Sequence, residues 1–318
     1  MSQPPHTPYK IGLALGSGGA RGWAHLGVLR RLNELGVSPH CVAGTSAGAI
    51  VAALYASDGL KTMEDLAGNM DWKQVAHLFL EVNFPRAGLL TGKHVMRLLR
   101  SVIDVRAISS LRIPFAAVAT DLMTEKEVVF QSGNLFEAIR ASIGIPGIFT
   151  PAHLNGRYLV DGGLVNPLPV SVCRAMGADF VIAVDVNLRA PVAKSKPVKE
   201  QRPSAPSQRI ARLIESFSKF VSKYPMPSVK DSHRWAPTTG HAESISIFDV
   251  LTRSFRLIEN QITRRELVLN PPDILIQPAV GDIMTLEFHR SAEAISAGIS
   301  AVEEVLPRLQ PLIRKTES

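Results

Sequence analysis

"CVAGTSAGAIVAALYAS", residues 41–57, is the stretch on which the fold turns. Its first four residues read as a short apolar strand, and 47–57 as a nearly all-apolar helix that must be buried. Between them stands G-T-S-A-G, 44–48, a serine between two glycines where a strand passes directly into a helix. A chain of this length holds roughly 0.1 chance matches to G-x-S-x-G, and the strand-to-helix context is the one a nucleophile elbow requires. Gly44 and Gly48 allow close packing in a strained turn that exposes the Ser46 hydroxyl. The helix N-terminus then points at that serine, and the Ala47 N–H is suitably placed to help hold an oxyanion.

Working outward, the same alternation repeats. "KIGLALG" (10–16) reads as a buried strand and is followed by a helix with Leu26, Leu29, Leu32 and Leu35, stopped at Gly36. Strands are expected at 113–121, 126–131, 157–163, 178–186 and 273–278. Helices are expected at 134–142, 168–177, 245–269 and 287–305, with weaker patterns at 62–70 and 93–103. Strands alternating with helices imply an α/β fold whose mostly parallel sheet is covered on both faces.

The 318 residues, 46% of them hydrophobic, suffice for one large domain, 1–318. Its core blocks span about 10–186, and its C-terminal completion about 245–310. Between these, 189–244 is rich in Pro, Ser, Lys and Arg and reads as a flexible basic excursion. From Arg189 to Arg234 eleven Lys/Arg face three Asp/Glu, so this segment carries the whole net charge of +7. No aromatic-interleaved or helix-turn-helix pattern accompanies it, so no nucleic acid is expected. An anionic membrane surface fits at least as well. Within it, "RIARLIESFSKFVSKYP" (209–225) gathers its apolar residues on one helical face, as an interfacial helix would; packing on its own domain fits equally. Two cysteines, Cys41 and Cys173, give no disulfide framework, the start has no apolar signal region, and no apolar run reaches membrane-span length. A cytoplasmic protein is expected, with peripheral contact to membrane.

Two more glycine-rich blocks bear on chemistry. "LALGSGGARGW" (13–23) sits at a strand-to-helix turn. As a dinucleotide fingerprint it fails: Ser17 stands at the first glycine, and Gly44-Thr45-Ser46 occupy the place of the ribose-binding acid. "GLLTGKH" (88–94) is one residue short of a phosphate loop. The block remains open between a tight turn and a nest of main-chain N–H groups, with Gly18 and Gly19 as donors and Arg21 as a nearby positive charge. "LVDGGLVNPLP" (159–169) delivers Asp161 from an apolar strand into a turn of Gly162 and Gly163. From the residues alone, Asp161 is open between a base for Ser46 and an ordinary turn aspartate. Near its usual pKa of about 3.9 it would be ionised but weak, and burial would strengthen it.

A histidine base has little support. His233 and His241 fall in the polar excursion, and His289 opens the last helix with no loop signature. His25, in "RGWAHLG", reads as a packed or capping residue. His6, His40, His77, His94 and His153 show no distinctive spacing. No metal-ligand cluster stands out, so neither metal nor cofactor is expected.

Taken together, "GSGGARG", "GTSAG" and "DGG" resemble the blocks of the patatin-like phospholipases, most of all the bacterial proteins related to neuropathy target esterase. "ASIGIPGIFTP" (141–151) looks like a fourth block bordering the site, and the resemblance runs from about Lys10 to Val186. It implies a three-layer α/β/α fold that hydrolyses acyl esters of lipids. It implies a Ser46–Asp161 dyad without histidine, an oxyanion hole from Gly18 and Gly19, and electrostatic support from Arg21. Gly22, Gly44, Gly48, Gly162 and Gly163 carry over as motif positions. The broader pattern begins D-G-G-G, where this chain has Gly16-Ser17 in place of the first two residues. The competing class is a non-catalytic regulatory or membrane-binding protein that retains the fold.

Overall fold

A computed structural model describes residues 9–63, 90–187 and 247–313. The expected excursion 189–244, its helix 209–225 and nearly all of the weak pattern at 62–70 lie outside the described residues.

Eight strands form one sheet: β1 (Ile11–Leu15), β2 (Cys41–Thr45), β3 (Phe115–Asp121), β4 (Glu127–Phe130), β5 (Ala152–Leu154), β6 (Arg157–Asp161), β7 (Phe180–Val184) and β8 (Ile274–Ile276). The centre is parallel, with β3, β2, β1, β7 and β8 side by side, while β4, β5 and β6 join antiparallel. The helices are α1 (Trp23–Glu34), α2 (Ala47–Ala56), α3 (Lys93–Val102), α4 (Leu135–Ser142), α5 (Val170–Ala175), α6 (Ile247–Leu269), α7 (Ser291–Glu304) and α8 (Leu306–Leu309).

The central strands are apolar on both faces, and alternation sorts their side chains by size. Leu13, Leu15, Val42, Phe115, Ile182 and Val184 point to one core, which is covered by helices including α1, α2, α4 and α7. Ala14, Ala43, Ala116 and Ala183 point to the other, where Val170, Val172 and Cys173 of the short α5 lie close against them. This is the expected three-layer α/β/α arrangement. On the first face α1 and α7 meet at two glycines: a Cβ on Gly27 would lie 2.0 Å from the Ile295 carbonyl oxygen, and one on Gly298 would lie 2.1 Å from that of Ala24.

One detail of register positions the site. On β3, Ala117 and Val118 pair with both β2 and β4, whereas Ala119 and Thr120 pair with both β4 and β6. A strand residue has only two edges, so β2 and β6 run end to end along the same edge of β3. Thr45 stands opposite Val118 and Asp161 opposite Ala119. The chain leaving β2 at Ser46 therefore meets the chain leaving β6 at Asp161, although 115 residues separate them. The short β5, which pairs with β6, was not anticipated; with three residues it carries almost no periodicity to read.

Candidate active site

Ser46 adopts φ 55° and ψ −121°, a strained backbone for a residue with a side chain, at the point where β2 becomes α2. Close packing holds it there. A Cβ on Gly44 would come 2.3 Å from the Gly48 carbonyl oxygen, and one on Gly48 would come 2.1 Å from that of Leu15. The Ser46 N–H donates to the Ser142 hydroxyl at 2.9 Å, which ties the elbow to the end of α4. Asn134 caps the other end of α4 by accepting from the Phe136 and Glu137 N–H groups.

The Ser46 hydroxyl donates to Asp161 Oδ2 at 2.6 Å, and the Gly163 N–H donates to Oδ1 at 2.8 Å. Asp161 is thus both a turn cap and the partner of the serine, one oxygen to each. Among the described residues these two side chains have no histidine partner. Asp161 is fully buried, and its pKa does not stay near the ordinary carboxylate value. Burial, and then the like charge of Glu259, push it up to about 8 despite the two hydrogen bonds. A carboxyl group with so high a pKa is a far stronger proton acceptor than a solvated aspartate.

The glycine block follows β1. Gly16, Ser17, Ala20 and Arg21 all donate their N–H groups to main-chain carbonyls, whereas Gly18 and Gly19 donate to no protein acceptor among the described residues. Gly19 has φ 56°, and a Cβ there would lie 2.5 Å from the Thr285 carbonyl oxygen. Gly22 lies against Ala47, with room for no Cβ between them, so the block abuts the elbow. Gly162 in turn packs on the Val118 carbonyl and the Thr45 methyl.

Arg21 is more deeply committed than the expected nearby charge. It is among the largest fully buried side chains; its Nε and Nη2 donate to Asn187 Oδ1, and its Nη1 donates to the Ile283 carbonyl. Burial first, and then Arg256, bring its pKa down to about 10. These donors pin the block to Asn187, just past β7, and to Ile283. His25 is a packed residue: its ring Nε2 sits 2.8 Å from the Gly16 carbonyl oxygen, and burial drops its pKa to about 4, so it is neutral. His40 accepts from the Ile11 N–H through Nδ1, His153 packs against Tyr158 with the rings tilted, and His289 is exposed.

Ser46, Ala47 and Gly19 open onto an apolar chamber lined by Trp23, Ile50, Val51, Leu54, Leu99, Ile145, Phe149, Leu286 and Phe288. The block 141–151 borders the site as expected, through Ser142, Ile143, Ile145 and Phe149. Two residues of the surroundings escaped the sequence reading, Asn187 and Glu259, while Ser142 lies within the block 141–151 without being singled out there. Asn187 follows a readable strand, but nothing in the sequence marks it as the partner of Arg21. Glu259 is an ordinary helix former until the fold turns it inward.

Among the described residues no group of three or more His, Cys, Asp and Glu side chains is arranged to hold a metal ion.

A serine on a strained strand-to-helix turn, facing a carboxylate and an apolar chamber, puts the chain in the class of α/β proteins built around a nucleophile elbow. The sequence pattern of the patatin-like phospholipases matches residues 13–174. An uncharacterized NTE family protein of Mycobacterium tuberculosis is 31% identical over 93% of this chain and 91% of its own length. Lysophospholipase NTE1 of Pyricularia oryzae is 27% identical over 97% of this chain, which spans 19% of that protein. Human patatin-like phospholipase domain-containing protein 6 is 36% identical over 57% of this chain and 14% of its own length. The chain belongs to the patatin-like phospholipase family, in its bacterial NTE-type subgroup, and with that to the lipid acyl-ester hydrolases.

Proposed function

We propose that the protein cleaves an acyl ester of a phospholipid or lysophospholipid through an acyl-enzyme on Ser46, with Asp161 as the general base. Ser46 Oγ gives its proton to Asp161 as it attacks the ester carbonyl carbon, and the carbonyl electron pair moves to oxygen. The N–H groups of Gly18 and Gly19 receive that oxyanion. Each such donor contributes about 2.7–4 kcal/mol when aimed at the developing charge. Collapse expels the alcohol or lysolipid, which takes the proton held by Asp161. Water then attacks the acyl group, giving its proton to Asp161, and collapse breaks the ester bond to Ser46, whose Oγ takes that proton back from Asp161 as the fatty acid leaves.

The observation that carries this reading is the 2.6 Å hydrogen bond from Ser46 to a fully buried carboxylate at the mouth of an apolar chamber. The N–H groups of Gly18 and Gly19, which meet no acceptor among the described residues, and the raised pKa of Asp161 support it further. A fluorophosphonate probe tests it: labelling is expected on Ser46 and absent in Ser46→Ala. Labelling that persists in that variant removes the assignment.

The site of action belongs to the same reading: a cytoplasmic protein meeting an anionic bilayer through 209–225. Among the described residues no helix is long and apolar enough to cross a membrane. Segment 209–225 lies outside those residues, so the support is its sequence alone, basic with one apolar face. Flotation with anionic liposomes compares the full chain with a deletion of 190–240. Equal binding by both removes the segment from the account.

A further inference from the structure

Glu259, on the inward side of α6, is a second buried carboxyl group within the site's framework. It is 3% exposed. A Cβ placed on Gly163 would lie 2.4 Å from Glu259 Oε1 and 3.1 Å from Asp161 Oδ1, so two acidic side chains crowd the one space this glycine leaves open. The other face of Glu259 turns to the glycine block. Its Oε2 lies 3.4 Å from Asn187 Nδ2, and it shares a hydrogen bond with the Ser17 side chain. Asn187 donates in turn to the Ser17 carbonyl and hydroxyl at 3.0 and 3.1 Å, and it accepts from Arg21. A continuous buried path thus runs from the aspartate turn through Glu259 to the block that holds Gly18 and Gly19.

The charged groups facing Glu259 among the described residues come from four elements. They are Asp161 at the end of β6, Asp185 just past β7, Arg21 in the turn before α1, and Arg256 on α6 itself. The guanidinium groups favour an ionised Glu259. Among the described residues Asp161 has no such help: the charged group acting on it there is Glu259. Like charges this close in a desolvated setting disfavour each other's ionisation.

We infer that Glu259 is a positioning residue that sets the basicity of Asp161 and fixes the aspartate turn against the glycine block. This rests on Asp161 being the base. Burial pushes Glu259 itself up to about 7, below Asp161, so Glu259 ionises first and its charge is the one Asp161 then meets. Glu259→Gln keeps the shape and a hydrogen-bonding side chain while removing the charge.

The expected result is a split that mere structural damage does not produce. With the repulsion gone, Asp161 ionises at lower pH, and the acid limb of the kcat/KM profile moves down by about one pH unit. At pH 5–6 the variant is then up to about tenfold more active relative to its own plateau than the wild type. The plateau itself falls a few-fold, because the base is weaker. An acid limb unmoved in a folded Glu259→Gln protein overturns the inference. If that variant does not fold, carboxyl-carbon NMR of the wild type supplies the second measurement. The Glu259 signal should titrate at lower pH than that of Asp161, because the base releases its proton against a charge already present, and an Asp161 signal that titrates first overturns the inference. The two readings fail separately. An Asp161→Asn enzyme of normal rate refutes the base itself, whereas an inactive one with an unmoved Glu259→Gln limb refutes only the role of Glu259.

Discussion

The two sides of the Ser46–Asp161 pair are built from opposite materials. On the serine side lies the chamber of Trp23, Ile50, Val51, Leu54 and Phe149, all aromatic or aliphatic. On the aspartate side lies a bed of Ser17, Arg21, Asp185, Asn187 and Glu259, every one of them buried. The first favours an acyl chain and excludes water, and the second holds protons and charge. The contrast teaches that, in the proposed reaction, acyl binding and proton transfer fall to different sets of side chains, with one hydrogen bond joining them.

The largest expected effect breaks that joint. Asp161→Asn should fold, keep the hydrogen bond's geometry and lose about 10²–10⁴-fold in kcat, measured on a soluble ester. Near-normal turnover would return the base role to a histidine. The chamber comes next. Across a series of straight-chain esters, kcat/KM should rise with acyl length, by as much as about 0.8 kcal/mol per CH2, until the chamber is full. Ile50→Trp should cut activity on long chains by about tenfold or more while sparing acetate and butyrate esters. Equal losses on all lengths would mean that the acyl chain lies elsewhere.

Ser142→Ala removes the acceptor of the Ser46 N–H and leaves a buried donor unpaired. Denaturant titration should show a loss of about 1–3 kcal/mol. No loss would mean that the elbow is held by its glycine packing alone. The smallest effect per step is in stability against pH. The Asp161 pKa is raised in the folded state to about 8 from an ordinary value of 3.8, so the folded state binds this proton more tightly than the unfolded chain. Its contribution is therefore fully present below about pH 4 and is lost as pH rises towards 8, by at most about 1.4 kcal/mol per pH unit. Asp161→Asn should flatten that slope and gain on the wild type as pH increases. Parallel melting curves for both proteins across that window would contradict the raised pKa.

The apolar side was largely legible in the sequence. The all-apolar α2, the strands 41–44 and 178–186, and the elbow between two glycines follow from periodicity and turn chemistry within a few residues of one another. The polar bed was not, and α6 shows why. Its helical period over 245–269 is plain, but the fold turns Thr252, Glu259 and Thr263 inward and leaves Leu257 63% and Val268 80% exposed. A helical wheel alone assigns the apolar side to the core, and here the polar stripe is buried, with Glu259 meeting Ser17 and Asn187. Arg21 is a similar case: the block placed it near the serine, but its partner Asn187 lies 166 residues on.

What the chain determined by itself is local. Glycine spacing, strand and helix periods and the order of three motifs specify an α/β sheet, an elbow at Ser46 and an acid at a turn. What the tertiary structure decided is adjacency and environment. Only the shared edge of β3 sets Asp161 against Ser46, and only complete burial beside Glu259 changes its proton affinity. The physical reason is that periodicity is a property of neighbours along the chain. Desolvation and charge repulsion depend instead on distance in space, which the fold alone supplies.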